Sequence, residues 1–443
     1  MSLTSGIVVE QEASTSSNEA LGETEGGSTV SARHRLRRWL LRRVIRAGMA
    51  VHRIAMILAT PMGRLVRRRG RRETFEVLLT GTFYSDNWVN AHVRPLAASK
   101  NCACVRVVST WPVPPTPKVV AVYPPTWLKS IVGAVPARLL LFCWMAIRLR
   151  PDIVGGFHLL VNGLVVSVMA RLVGAKSMYF CVGGPKEVVG GGIEAENRLF
   201  GKMQTADSVV EHRLIKAVGM FDIVVTMGTG AVGFFRSHGL RNAFHVVSGG
   251  IAGAGYSPGD QAPATDLILV ARLAPIKRID VFLASIKLAT AHIPHMRATI
   301  VGDGELRRGL GRMACELGID HCVSFVGHQR DVAEWLRRAR LFVLTSDSEG
   351  LALSLMEAMM CGLPAVVSNV GDLGDLVEDG VNGYLVERRR PEAFAERIVE
   401  LLADEAKRTA FSQAARRAAL RYDIPNVTRQ WDEILAECNG HAA

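Results

Sequence analysis

The sequence has little that would hold a metal, a disulfide framework or a membrane span. Its eight cysteines form no Cys-x-x-Cys pair, the spacing that zinc and dithiol chemistry need. Cys143, Cys181 and Cys361 sit in apolar runs, where a reduced thiol packs as a small hydrophobe, so a reducing compartment is expected. Residues 1–10 lack the cationic start and apolar core of a secretory signal, and export is not expected. The longest nearly uncharged run, residues 153–170, is broken by Gly155, Gly156, His158, Asn162 and Gly163 and reads as strand, loop and helix. The 131–149 run is interrupted by Pro136 and Arg138, so no segment reads as a transmembrane helix. Lysine is scarce too: ten of 53 basic residues, as a GC-rich coding sequence would give, so arginine abundance alone carries little chemistry.

What is present is unevenly placed. The net charge is +12, yet residues 1–30 hold five Glu and no Lys or Arg, while residues 31–72 hold fourteen Arg and no acid. The other 371 residues carry only about +3. A near-neutral body argues against a nucleic-acid partner, because tracking phosphates needs many cations along one face. Residues 1–30, rich in Ser, Thr, Gly and Glu, read as a disordered tail. Residues 31–72 read as a basic amphipathic helical arm: Leu36, Leu40, Val44, Ala47, Val51, Ile54 and Leu58 recur at helical spacing, with arginines largely off that stripe. Such a helix suits an anionic membrane surface, through residues 33–72, and its alternatives are a helix packed on the body, a solvated basic tail and, last, a nucleic-acid contact.

From residue 73 the rhythm is α/β. Strands are expected at 75–80, 104–109, 118–123, 152–157, 177–182, 222–227 and 243–247, with helices at 87–100, 127–148, 162–173 and 194–218. Residues 73–255 thus form one doubly wound, Rossmann-like domain, 256–265 an interdomain linker with Pro258, Gly259 and Pro263, and 266–420 a second such domain. Its strands are expected at 266–271, 297–301, 323–326, 341–345 and 365–368, with a helix at 351–360. Residues 421–443, with Trp431, are expected to form a terminal helix, one that by resemblance to a known two-domain fold would cross back onto the first domain. Two such domains would face a cleft at the carboxyl ends of their strands.

Three clusters fall at those ends. Arg272 and Lys277 follow the first strand of the second domain, one a bidentate grip and one a point charge suited to a diphosphate. Gly302-Asp303-Gly304-Glu305 ends the next strand, where glycine lets a ligand approach the backbone. The third is Ser346 to Pro364: Glu349 precedes a helix whose first N–H groups, expected at Leu351 and Ala352, are open to phosphate oxygens. Glu357 lies two turns into that helix among Leu355, Met356 and Met359, a carboxylate that needs partners, ribose hydroxyls or an arginine.

In this order, with Phe325-Val326-Gly327-His328, Ser368-Asn369-Val370-Gly371 and Glu378 to Val386, the motifs resemble the retaining glycosyltransferases of family 4, which have the GT-B fold. The resemblance covers residues 266–387 closely and 73–255 loosely. It implies a metal-independent transfer, with no cofactor, of a hexosyl or other sugar from a nucleoside-diphosphate sugar. Arg272 and Lys277 would hold the diphosphate and stabilise its departing charge, Glu349 would contact the transferred sugar, and Glu357 would hold the ribose. Gly302, Gly304, His328 and Arg330 would surround the nucleoside, while Gly350, Leu351 and Ala352 would meet the phosphates. No Asp-x-Asp metal motif accompanies the set. In the first domain, Gly81 stands where the family has a Gly-rich loop near the diphosphate, and His158 where it often has a cleft histidine that touches the sugar. Gly190-Gly191-Gly192 reads as an acceptor loop or as a plain turn, and Ser248-Gly249-Gly250-Ile251 replaces the family's Pro-Asn-Gly before the hinge.

The expected function is therefore sugar transfer with retention to a lipid-linked or other saccharide acceptor, in exopolysaccharide or cell-envelope glycan biosynthesis. The expected location is cytoplasmic, peripheral on the inner membrane face. A GT-B nucleotide-sugar epimerase and a non-catalytic nucleotide-sugar-binding or scaffold protein are the alternatives.

Overall fold

A computed structural model of the chain describes residues 24–66, 73–83, 85–195, 197–259 and 262–440. The first of its two sheets contains β1 (Phe75–Thr80), β2 (Cys102–Val108), β3 (Val119–Val122), β4 (Ile153–Phe157), β5 (Lys176–Cys181), β6 (Ile223–Thr226) and β7 (Ala243–Val246), in the order β3-β2-β1-β4-β5-β6-β7. The second contains β8 (Thr265–Val270), β9 (Ala298–Val301), β10 (Val323–Gly327), β11 (Ala339–Leu344), β12 (Ala365–Ser368) and β13 (Gly383–Val386), in the order β10-β9-β8-β11-β12-β13. Neighbouring strands run parallel throughout. Parallel sheets are covered on both faces, which is why β4 and β6 are buried along their whole length. Strand order reverses between β1 and β4 in one sheet and between β8 and β11 in the other, and each reversal opens a crevice at the strand carboxyl ends.

Several elements depart from the sequence pattern for local reasons. The expected helix over 87–100 is split into Asp86–His92 and Arg94–Ala98, where Pro95 starts a new first turn. The 127–148 helix breaks at Gly133, whose φ of 86° no other residue adopts easily. In place of a helix over 194–218, Asn197 and Asp207 each cap a separate helix, Arg198–Gly201 and Ser208–Val218. The helix Thr229–Ser237, absent from the pattern reading, follows β6 directly.

The arm is one helix, Thr24–Val66, so the boundary expected at residue 30 is not a structural one: helix runs through 24–30. Residues 1–23 and 67–72 of the expected tail and arm lie outside the described residues. The helix lies against Leu164–Val173 and Ser208–Val218 of the first domain. Its stretch Leu36–Val66 is, by length and composition, also enough to cross a membrane. The face it buries is not the predicted stripe. Ile45, Met49, Met56 and Ala59 are buried, while Leu36, Leu40, Val44, Val51, Ile54 and Leu58 stay exposed. The helix has two apolar stripes, and spacing alone cannot say which one the body takes. Arg46 grips Asp207 at 3.0 and 3.1 Å, His52 Nε2 meets Ser167 Oγ at 2.9 Å, and Arg213 donates to the Arg46 carbonyl.

The chain passes between the domains twice at one place. Ile251 N–H donates to the Tyr422 carbonyl, Ile424 N–H to the Ile251 carbonyl, and Gly253 N–H to Asp423. The described residues of the expected linker, 256–259 and 262–265, touch the second domain: the Tyr256 hydroxyl donates to Glu357 and Thr265 opens β8, while Arg337 holds the carbonyl of Gly255 just before it. The last helix, Ile424–Gly440, returns to the first domain, where Val427, Trp431, Ile434 and Leu435 join a core with Phe75, Val77 and Phe180. Asp432 fixes it there by accepting from Ser99 Oγ at 2.6 Å and the Lys100 N–H at 2.9 Å.

Candidate active site

Four neighbouring strand ends of the second sheet are laced together by backbone bonds. Gly302 N–H donates to the Gly327 carbonyl, Leu273 N–H to that of Asp303, Leu306 N–H to that of Leu273, and Asp347 N–H to that of Ile276. The loops after β10, β9, β8 and β11 therefore lie side by side and bring Gly327–His328, Gly302–Gly304, Arg272–Lys277 and Ser346–Ala352 to one rim. Gly302 has φ 136°, and a side chain there would run into the Ala271 carbonyl, so glycine is required for this close approach. Arg272, His328 and Arg330 are exposed on the rim. Sequence reasoning missed Arg307, which donates to the Phe325 carbonyl at 3.1 Å and packs over Gly327.

Lys277 and Glu349, assigned separate roles by sequence, touch each other. The ammonium is 2.6 Å from Glu349 Oε1, which also accepts from Ser346 Oγ at 2.6 Å. Thr345 Oγ1, another group the sequence did not single out, donates to the Lys277 and Arg278 carbonyls and fixes the lysine loop to the end of β11. Ion pairing sets the carboxylate's direction and leaves the lysine further donors, since an ammonium has three.

The helix after this loop begins at Leu353, not at Leu351. Ala352 is its N-cap and has no side-chain oxygen to satisfy the first turn, so the open amides belong to Leu353 and Ser354, while those of Leu351 and Ala352 lie in the preceding loop. The shift follows from Ala352, whose extended backbone (ψ 123°) is not yet helical. Gly350 abuts Val182 and Met227, so this loop is where the second domain meets the first.

Glu357 is 6% exposed, and among the described residues it pairs with no cation. Its Oε1 accepts from the Tyr256 hydroxyl at 3.1 Å. Burial pushes its carboxyl from 4.5 up to about 7, although the tyrosine bond pulls the other way. Tyr256 is a partner that only the fold reveals, being 101 residues distant.

In the first domain, Gly81 follows β1 and His158 follows β4, on either side of the strand reversal. Gly81 is buried under Phe157, and Arg138 donates to its carbonyl, so its backbone is engaged in packing. His158 adopts φ 65° and its Nδ1 lies 3.2 Å from Glu187. That carboxylate is buried and also accepts from the Leu159 and Gly183 N–H groups and, at 2.9 Å, from the Tyr179 hydroxyl. Burial would raise the Glu187 carboxyl, but His158 and the two backbone donors outweigh it and hold it below the usual range. Gly190, Gly191 and Gly192 are buried against Asp207, Val210 and Leu160, a packed turn and not an open loop.

Across the cleft, Asp372 and Asp375 accept from the first turn of Thr229–Ser237: Gly230 N–H at 2.9 Å, Thr229 N–H and Oγ1 at 2.6 Å. Carboxylates at a helix N-terminus are favourable. Among the described residues no cluster of three His, Cys, Asp or Glu is placed to hold a metal ion.

Residues 261–418 match the glycosyl transferases group 1 family. The chain is similar to D-inositol 3-phosphate glycosyltransferase of Thermobispora bispora, 32% identical over 187 residues, 40% of this chain and 44% of the other. It is also similar to poly(glycerol-phosphate) alpha-glucosyltransferase of Bacillus subtilis, 30% identical over 166 residues, 37% of this chain and 24% of the other. The matched segment spans less than half the length of these relatives. Among solved structures, Anabaena HepE in complex with UDP superimposes with a TM-score of 0.62 at 16% identity, covering 82% of this chain and all of that one. At that identity the likeness is one of fold.

Proposed function

We propose that the protein transfers a sugar, with retention, from a nucleoside-diphosphate sugar to a saccharide acceptor; the match of residues 261–418 to the glycosyl transferases group 1 family and the GT-B fold of the chain support this reading. The acceptor in this reading is carried on a lipid at the cytoplasmic membrane face, in exopolysaccharide or cell-envelope glycan assembly. One observation carries the chemistry: the Lys277–Glu349 pair sits beside the uncapped helix start at Leu353, on a rim shared with Arg272 and Gly302.

Each group has a task in such a transfer. As the glycosidic bond breaks, charge collects on the departing diphosphate, and preorganised cations and amides are the groups that stabilise it. Lys277, Arg272 and the Leu353 and Ser354 amides supply them. Glu349, held by Lys277 and Ser346, is aimed to accept from a hydroxyl of the donor sugar. Glu357 is the ribose acceptor, with Tyr256 covering it until the nucleoside arrives. These cations serve where other enzymes use a divalent ion, so transfer is expected to continue in EDTA. HepE was crystallised with UDP and with UDP-glucose, which supports the donor class. The exposed stripe of the arm, with Arg37, Arg43, Arg53 and Arg64 also exposed, supports the membrane location.

The test is nucleotide release from a panel of nucleotide sugars with membrane lipid extract as acceptor. Lys277→Ala and Glu349→Ala are each expected to lower kcat about 100-fold or more. Unchanged rates in both variants would show that the chemistry lies elsewhere. Val44→Glu with Val51→Glu is expected to weaken partition onto anionic vesicles; unchanged partition removes the arm from the reading.

A further inference from the structure

The first domain has a second apolar surface that the arm does not explain. The helices Thr126–Val132 and Ala134–Leu149 form a hairpin joined at Gly133. The shorter helix buries no residue at all. The longer one buries Ala137, Phe142, Met145 and Ala146 on one side and exposes Leu140, Trp144 and Ile147, spaced i, i+4, i+7, on the other. Trp127 and Ile131 are exposed at the same four-residue spacing on the first helix. Five large apolar side chains on one hairpin are more than scattered surface hydrophobes require.

The hairpin's own charge has one sign. No Asp or Glu occurs between residues 87 and 151. Trp144, Ile147, Arg148 and Arg150 line an open depression on this face, where two guanidinium groups stand beside an indole and an aliphatic chain. Asp152, the first acid beyond, is turned into the sheet, where it accepts the Glu76 N–H. Indoles among arginines suit the boundary between lipid headgroups and acyl chains, and guanidinium groups suit the phosphates. The hairpin also lies on the arm's side of the sheet: Phe142, Met145 and Ala146 share one apolar layer with Ile45 and Met49 of the arm.

We propose that the Thr126–Leu149 hairpin is a second membrane-docking element, which inserts Trp127, Ile131, Leu140, Trp144 and Ile147 into an anionic phospholipid surface while Arg148 and Arg150 bind its phosphates. It extends the membrane reading given above but does not depend on the arm. With two elements on one side of the sheet, the first domain docks in a fixed orientation instead of swinging from a tether.

The experiment uses the full chain and sedimentation with vesicles of phosphatidylcholine and phosphatidylglycerol at 7:3, compared with phosphatidylcholine alone. Ile131→Glu with Trp144→Glu is expected to lower partition onto the anionic vesicles at least tenfold, and Arg148→Gln with Arg150→Gln to narrow the difference between the two vesicle types. A conservative second variant, Trp127→Phe with Trp144→Phe, is expected to reduce the quenching of tryptophan fluorescence by brominated lipid. Unchanged partition and quenching in these variants would overturn the hairpin while leaving the arm intact. A wild-type chain that ignores vesicles altogether overturns both. A lipid-free dimer that Ile131→Glu converts to monomer would assign the face to a second copy of the chain and overturn the proposal. Nucleotide release in detergent, expected to be unchanged in all these variants, keeps the result separate from the transfer reading.

Discussion

Glu357, the proposed ribose acceptor, is kept buried at a cost to stability. In the unfolded chain its carboxyl titrates near 4.5, and in the folded chain near 7, so between these values the folded state holds a proton that the unfolded state has lost. The contribution of this one group to stability is therefore most favourable below pH 4.5 and declines as pH rises from there to about 7, by a total on the order of 3 kcal/mol. Glu357→Gln is expected to abolish this decline, raising stability in urea at pH 8 by about 2 kcal/mol, while increasing the donor KM about tenfold through loss of a charged acceptor. A variant that gains stability without losing donor affinity would remove Glu357 from the ribose role. The carboxylate itself was legible, because a lone acid in an apolar helix is conspicuous. Tyr256 was not, because its contact depends on where the chain enters the second domain.

The arm helix and its anchor invite a similar test. Asp207 caps Ser208–Val218 through the Val209 and Val210 N–H groups and also receives Arg46. Burial works to raise its carboxyl, yet these partners outweigh it and hold it below the usual range. The stability it contributes is present above the ordinary aspartate range and is lost as pH falls through the depressed value. Asp207→Ala is expected to cost about 2 kcal/mol, from the cap and a half-exposed ion pair, and to accelerate hydrogen exchange along Thr24–Val66. Undisturbed exchange in the arm would mean that apolar contacts alone retain it. Twelve of the thirteen strands were read from sequence because buried parallel strands are short apolar runs between turn residues; β13 was not, its four residues lying directly behind a turn. Helix limits were read less well: the breaks at Gly133 and Asp207 and the late start at Leu353 turn on single capping or positive-φ residues, which a periodicity count averages away.

For the molecule as a whole, the carboxylates of Asp372 and Asp375 on Thr229 and Gly230 clasp the two domains across the cleft. Burial raises the Asp372 carboxyl despite the Gly230 N–H, so acidification protonates it earlier than an ordinary aspartate and loosens the clasp. Asp372→Ala with Asp375→Ala is expected to enlarge the radius of gyration in X-ray scattering and to lower kcat/KM about tenfold, ~1.4 kcal/mol. Identical scattering curves would show that the clasp does not govern closure. These cross-domain contacts were invisible in sequence because each joins residues about 140 positions apart. The returning terminal helix has a consequence for how the protein is made. Trp431 and Leu435 are part of the core beneath β1 and β5, which leave the ribosome hundreds of codons earlier. Although domains generally fold as they emerge, this first domain has to wait, incompletely closed, until the entire second domain has been synthesised. A nascent chain stalled before codon 424 would thus carry every proposed catalytic residue and still lack the helix that completes its first domain.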